Sequence, residues 1–145
     1  CVKTLNDNSW QGELCSYEKL SEKQESAAWE KIPNGLGNLS AFDKYPDFSG
    51  QMRYRTEFTW TGESKGCILD LGQVYETAQV FLNGQEIGVR LAPPYCFDIS
   101  KALQSGENQL EVLVANTLVH AVRDYFSMTL PMEPSGLLGP VRIVS

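Results

Sequence analysis

Between residues 51 and 60, apolar and polar positions alternate without a break. Met52, Tyr54, Thr56, Phe58 and Trp60 fall on one side of an extended chain; Arg53, Arg55, Glu57 and Thr59 fall on the other. A period of two sends successive side chains to opposite faces, so this segment predicts a half-buried strand. The same alternation recurs downstream. Cys67, Leu69 and Leu71 stand against Ile68 and Asp70, and Ala78, Val80 and Leu82 against Gln79, Phe81 and Asn83. Ile87, Val89 and Leu91 stand against Gly88 and Arg90. Over 107–116, Leu110, Val112 and Val114 point inward and Glu111 outward; near the end, Val141 and Ile143 flank Arg142.

The turn residues agree with the strands. Asn83-Gly84 separates two alternating runs, and both residues tolerate the positive φ of a two-residue hairpin turn. Ser105-Gly106 turns the chain before the next strand. One helical turn is expected, capped by Asp98 or Ser100, continued by Lys101-Ala102-Leu103 and stopped by Gly106. The first fifty residues are less regular. Leu14, Ser16 and Glu18 alternate with Cys15, Tyr17 and Lys19 without a clean inner face. The SEKQES run at 21–26 is polar, and Pro33-Asn34-Gly35, Gly37-Asn38 and Pro46 to Gly50 are turn chemistry. This half is expected to be an irregular lead-in with two short strands. Many short strands spaced by turns, without crossover helices, predict an all-β, antiparallel jelly-roll β-sandwich. At 145 residues it is read as a single domain, 1–145.

Composition narrows the function classes. Hydrophobic residues make up 42% of the chain, enough to build a core, and no apolar run is long enough to span a membrane. The net charge of −6, without any Lys/Arg cluster, argues against nucleic-acid binding. Cys1, Cys15, Cys67 and Cys96 form no C-x-x-C pair, and Cys67 and Cys96 lie in apolar sequence, so reduced thiols are expected. An opening Cys1 in place of Met reads as a processed or excised piece. It leaves two compartments open: the bacterial cytoplasm, or a secreted or periplasmic location if Cys1 is a lipoprotein cysteine.

No phosphate loop, zinc-protease helix or serine-hydrolase elbow is present, and His120 is the single histidine, so no catalytic residue is assigned. The segment Thr117 to Pro134 (TLVHAVRDYFSMTLPMEP) is long for a hairpin connection and mixes charges with aromatics. A carbohydrate site needs a flat aromatic face for sugar C–H groups and planar polar side chains for vicinal hydroxyls. Tyr125 or Phe126 could supply the face, and His120, Arg123, Asp124 and Asn116 the hydrogen bonds. The competing reading has the two rings covering the sandwich end, Arg123 paired with Asp124 at the surface, and His120 solvated. Trp60 is expected in the core. Trp10 and Trp29 are read equally as core or interface material or as sugar platforms. The outward strand faces show scattered charges and no aromatic row, so sugar contact is expected on the loop and not on the sheets.

The run from Leu69 to Asn116 carries a resemblance. Leu69-Asp70-Leu71-Gly72, Val80-Phe81-Leu82-Asn83-Gly84, Gly88, Pro93-Pro94-Tyr95, Phe97-Asp98-Ile99-Ser100 and Gly106-Glu107-Asn108 resemble the galactose-binding-like jelly roll of glycoside hydrolases. That domain occurs in the β-galactosidase, β-glucuronidase and β-mannosidase family and in large α-L-rhamnosidase-like enzymes. Phe48-Ser49-Gly50, Tyr54 to Phe58 and Ser135 to Val141 look like its flanking strands. The resemblance implies a domain that is not the catalytic barrel but packs beside it, with a sandwich loop bordering the substrate cleft. By position that loop precedes Ser135-Gly136, and an acidic residue there would correspond to Asp124. The residues themselves make structural sense: Asn83-Gly84 turns a hairpin, Gly88 permits a close approach, and Pro93-Pro94 ends a ladder.

The resulting expectation is a non-catalytic carbohydrate-binding or accessory module of a glycoside hydrolase. Its partners would be a carbohydrate and the catalytic domain of the same parent chain. The expected ligand-binding residues are His120, Arg123, Asp124 and Tyr125. Two alternatives are a purely structural buttress without sugar affinity and a free-standing lectin-like protein. No cofactor and no metal ligand is assigned. Such folds carry a structural calcium in many cases, for which Asp43 and Asp47 are oxygen sources, but the six to eight ligands of a calcium site cannot be assembled from the sequence.

Overall fold

The alternating segment 51–60 becomes the spine of the larger of two main sheets. A computed structural model of the chain describes residues 1–16, 29–32, 35–37, 50–116 and 136–145. Among these the strands are β1 (Val2–Thr4), β2 (Gln11–Ser16), β3 (Glu30–Ile32), β4 (Gly50–Trp60), β5 (Ile68–Asp70) and β6 (Gln73–Tyr75). They continue as β7 (Thr77–Leu82), β8 (Gln85–Arg90), β9 (Cys96–Asp98), β10 (Gly106–Ala115), β11 (Gly136–Gly139) and β12 (Arg142–Val144). The larger sheet has the order β3-β2-β4-β10-β7-β8, the smaller the order β1-β12-β5-β9, and β6 pairs with β11. The ladders are antiparallel, as expected for a jelly-roll β-sandwich.

One apolar cluster lies between the sheets. The larger sheet contributes Met52, Tyr54, Trp60, Ala78, Val80, Leu82, Leu110, Val112 and Val114; the smaller contributes Leu69, Phe97 and Ile143. The inward positions read from the alternation of β4, β7 and β10 are those found buried, except Phe58, which is half-buried against the core. Burying one such large apolar side chain contributes about 1.5–3 kcal/mol, so a misplaced register in β4 would cost several of these at once.

The hairpin at Asn83-Gly84 forms as expected, with φ of 53° and 79°. The expected helical turn also forms, and the structure adds a second, a 3-10 turn at Asp7–Ser9 capped by Asn6. Asp98 Oδ1 accepts the Ser100 N–H at 3.0 Å, and the Leu103 N–H closes onto the Ile99 carbonyl at 2.9 Å. The Ser100 side chain, and after it the Ser100 N–H, hold the Asp98 carboxyl below the usual carboxylate range.

Three expectations are corrected. Among the described residues the lead-in contains three strands, β1, β2 and β3, and β2 is an interior strand of the larger sheet. Its alternation was masked because its inward positions are Gly12 and Leu14 while the intervening Cys15 is also buried. Gly12 belongs to the core without a side chain: a Cβ there would stand 2.7 Å from Ile32, whose own side chain fills the space. Second, Val89 and Leu91 do not face inward; they are 45% and 75% exposed. The ladder pairs Phe81 with Glu86 and Val80 with Gly88, so Ile87 is an extra residue and the alternation of β8 reverses after it. Third, no tight approach occurs at Gly88, where a Cβ would meet the Phe97 ring at an ordinary 3.7 Å.

Candidate functional site

Antiparallel order brings particular strand ends together. Ser16 at the end of β2 pairs with Gly50 at the start of β4. Ala115 at the end of β10 pairs with Gln51 on one side and with Thr77 on the other. Gly136, which opens β11, pairs with Tyr75, two residues before Thr77. The Gly37 N–H donates to the Leu137 carbonyl at 3.2 Å. The flanks of the three long segments 17–28, 38–49 and 117–135 therefore meet the sandwich at one end. Long connections gathered on a rigid frame are the usual carriers of binding function.

The frame at this end is tied across the sequence. Buried Asn116 accepts the Gly50 N–H on its side-chain Oδ1 at 2.8 Å and donates its own N–H to the Gly50 carbonyl at 3.2 Å. Asn116, expected as a hydrogen-bonding group for sugar, is thus committed to fastening β10 to β4. The Glu76 N–H donates to the Ala115 carbonyl at 3.1 Å, and the Tyr95 hydroxyl donates to the Glu76 carbonyl. Tyr54 on β4 receives the Leu137 N–H on its hydroxyl oxygen at 3.3 Å. Burial pushes the Tyr54 phenol up to about 12, against the smaller opposing effect of that N–H. Gly136 has φ of +103°, and a Cβ there would lie 2.5 Å from the Tyr54 hydroxyl. A glycine is required where the chain rejoins the frame.

Beside these ties runs an apolar lip. Leu91, Ala92, Pro93 and Pro94 are exposed where β8 ends. Leu91 to Pro93 and Tyr95 face the 72–76 strand segment across a shallow groove of about 450 Å³. Exposed apolar side chains grouped at a sandwich end suit contact with another protein surface.

His120, Arg123, Asp124 and Tyr125, with Phe126, lie outside the described residues, as do Asp43 and Asp47. What is described is the pair of posts, Asn116 and Gly136, between which that segment is hung. Trp10 and Trp60 are core residues. Trp29 is half-buried on the outer side of the larger sheet, with the Arg53 guanidinium 4.3 Å from its ring centroid. Arg53 also donates from Nε to Glu13 at 3.0 Å. The Arg53 hydrogen bond, outweighing burial, holds the Glu13 carboxyl below its usual range. Trp29 therefore takes part in a Glu13–Arg53–Trp29 stack, an arrangement no periodicity rule could have pointed out.

Cys67 and Cys96 are free thiols. Burial pushes both up, with Asp98 and Asp70 respectively acting in the same direction, which disfavours the thiolate. Among the described residues no group of His, Cys, Asp and Glu could hold a metal ion, and no helix is long and apolar enough to cross a membrane.

Comparisons with known proteins place this architecture. The model of the family described as "Glycosyl hydrolase 2 galactose-binding domain-like" matches residues 40–132. Two proteins of Formosa agariphila, each named "Putative beta-glucuronidase", are similar to the chain. One is 44% identical over 73 residues, covering 48% of this chain and 6% of that protein. The other is 28% identical over 148 residues, covering 98% of this chain and 13% of that protein. A solved rhamnosidase from Novosphingobium sp. PP1Y superposes with a TM-score of 0.76 at 30% identity, covering 99% of this chain and 15% of that one. A β-glucuronidase from Ruminococcus gnavus superposes with a TM-score of 0.69 at 22% identity, over 99% of this chain and 28% of that one. The chain thus spans a small part of each of these proteins.

Proposed function

The chain belongs to the glycosyl hydrolase 2 galactose-binding domain-like family, and from that membership we propose that it serves as a non-catalytic accessory module of a glycoside hydrolase. In this reading the module helps to position a glycan beside a separate catalytic domain of the same parent chain. The observation that carries the reading is the gathering of the long connections at one end, with Asn116 and Gly136 as fixed posts. His120, Arg123, Asp124 and Tyr125 are the residues proposed to touch the glycan. Carbohydrate is the proposed ligand class, since the relatives are named for β-glucuronidase and rhamnosidase activity. The rest of the 145-residue chain is read as one folding unit that supports this end.

A second reading is favoured by the lip Leu91 to Pro94. Leu91 is 75% exposed and runs on into Ala92, Pro93 and Pro94, three exposed residues without polar side chains. In that reading the end packs against the catalytic domain as a buttress and has no sugar affinity of its own.

Two measurements test the proposal. Incubated with a panel of aryl glycosides, the chain is expected to turn over none; hydrolysis that survives repurification and vanishes on changing one carboxylate would overturn it. Titrated with mono- and oligosaccharides under NMR observation, it is expected to bind with an affinity between micromolar and millimolar, because an open site offers little enclosure. The double change Arg123→Ala with Asp124→Ala should abolish that binding and leave the melting temperature nearly unchanged. Saccharide binding indifferent to the double change would remove the loop from the reading.

A further inference from the structure

The outward face of the larger sheet carries a row of side chains that the alternation scattered through the sequence. Gln11 on β2 pairs with Arg55 on β4, Arg55 with Glu111 on β10, and Glu111 with Phe81 on β7. Four strands thus place Gln11, Arg55, Glu111 and Phe81 side by side. In a neighbouring row Gln109 pairs with Glu57 and donates from Nε2 to its Oε1 at 3.4 Å. Around them lies a hollow of about 750 Å³, whose lining includes Phe81, Arg55, Glu57, Gln109, Glu111 and Gln11. That is within the range of about 300–1,000 Å³ typical of small-molecule sites.

The chemistry of the hollow is specific. Arg55 donates from Nε to Glu111 Oε2 at 2.8 Å, which orients the guanidinium. Its Nη1 and Nη2 groups make no hydrogen bond among the described residues, and half of the side chain is exposed. A planar fork of donors is thereby held in one row with a half-buried aromatic ring, two strands away across Glu111, about 10 Å at about 4.8 Å per strand. A pyranose presents complementary features: a face of C–H groups for the ring, and adjacent hydroxyls that both accept from a guanidinium fork and donate to carboxylates. Two carboxylates against one guanidinium leave the hollow with a negative balance, which disfavours an anionic ligand. A protein partner fits poorly as well, because the centre of the hollow is charged where interface cores are depleted in charge.

We propose that this row is a carbohydrate subsite: Phe81 stacks against one neutral pyranose of a glycan, and Arg55, braced by Glu111, bridges two of its hydroxyls. One ring suits one sugar residue, which is why no aromatic row is needed. The subsite is separate from the loop contact proposed above. Glu111 stands four residues along β10 from Ala115 at the loop end, about 14 Å at about 3.4 Å per residue.

The test is an amide-shift titration of the full 145-residue chain with methyl β-D-glucoside, methyl α-L-rhamnoside and cellotriose, and with methyl β-D-glucuronide as the anionic counterpart. Saturable shifts at Phe81, Gln109 and Glu111 in the millimolar range are expected with at least one neutral probe. The glucuronide is expected to bind more weakly than the glucoside. Phe81→Ala and Arg55→Lys should each weaken binding about tenfold, the second because a lysine keeps the charge and loses the fork. Both side chains face outward, so the core is spared; a variant that fails to fold leaves the other to decide. No saturable shift on this face, shifts with the glucuronide alone, or binding indifferent to both changes would overturn the proposal. If Arg123→Ala with Asp124→Ala removed the shifts at Phe81 as well, this subsite would fall while the loop reading stood. Shifts at Phe81 that survive the double change support a site of its own.

Discussion

The two ends of this sandwich solve the same problem differently. At one end the chain reverses through Asn83-Gly84 and Gly106, and two asparagines close it. Asn108 is buried, and its amide is saturated: Oδ1 accepts from the Asn83 amide and the Gln104 N–H, each at 2.9 Å, and Nδ2 donates to the carbonyls of Gln104 and Gly106 at 2.7 and 3.0 Å. Asn83 adds a bond to the Ala102 carbonyl and accepts the Gln109 N–H, both at 2.9 Å. Both asparagine amides are consumed by short local connections. At the other end Asn116, Tyr54 and Glu76 tie the strands while three long segments depart between them. The two asparagine amides of the closed end bond within that end; the open end fixes the posts from which the three long segments leave. Where a sandwich puts its short turns thus decides which end closes on itself.

This contrast is broken or sharpened by three substitutions or conditions. The largest effect is expected at the closed end. Asn108→Ala leaves the Gln104 N–H and the Asn83 amide without their acceptor in a buried place, and a loss of about 3 kcal/mol is expected in urea unfolding. A loss below about 1 kcal/mol would mean that the asparagine network is not what closes this end.

An effect of similar kind but smaller size belongs to the open end. Tyr54 is neutral and buried, its phenol raised from 10.0 to about 12 by burial. A group raised on folding stabilises fully below its unfolded value, and that stability is lost as pH rises through the folded one. Stability should therefore fall between pH 10 and pH 12, by about 2 kcal/mol, with Tyr95 acting in the same direction. Tyr54→Phe should flatten that decline in denaturant melts followed against pH. An equal decline in the variant would place the alkaline sensitivity elsewhere.

The smallest effect is expected on the outer face. Glu13 is partly exposed and held below 4.5 by Arg53, so its contribution is present above that pH and lost as the pH falls through the depressed value. Glu13→Gln should cost no more than about 1 kcal/mol at pH 7 and nothing in strong acid, measured by thermal melts at both pH values. A larger cost would show that the Arg53–Trp29 stack depends on the pair.

Legibility followed the same division. β4, β7 and β10 could be read because each keeps one face in the core over six or more residues, so the alternation is long enough to stand out. The Asn83-Gly84 hairpin could be read because positive φ restricts residue choice. β2 could not, since a glycine sits at a core position and Cys15 is buried on the intervening one. The inner face of β8 was misassigned because a single inserted residue, Ile87, reverses everything after it. Asn108 carries no such signal: it occupies an inward position where the pattern calls for an apolar side chain, and only its four hydrogen bonds explain it. The loop residues His120, Arg123, Asp124 and Tyr125 could be picked out by composition alone, which names chemistry but not geometry. Phe81 was legible as outward-facing; that Arg55 and Glu111 stand beside it depends on cross-strand register, which a single sequence does not spell out.

The extra residue in β8 has one more consequence. β8 is an edge of the larger sheet, and a flat edge offers its unpaired backbone to any other extended chain, including another copy of itself. The Ile87 bulge interrupts the regular spacing of those groups, Gln85 and Glu86 crowd one side of it with polar side chains, and Pro93 and Pro94 soon stop the chain from extending further. What looks locally like an error of pairing is a feature that disfavours fibril-like self-templating along this edge.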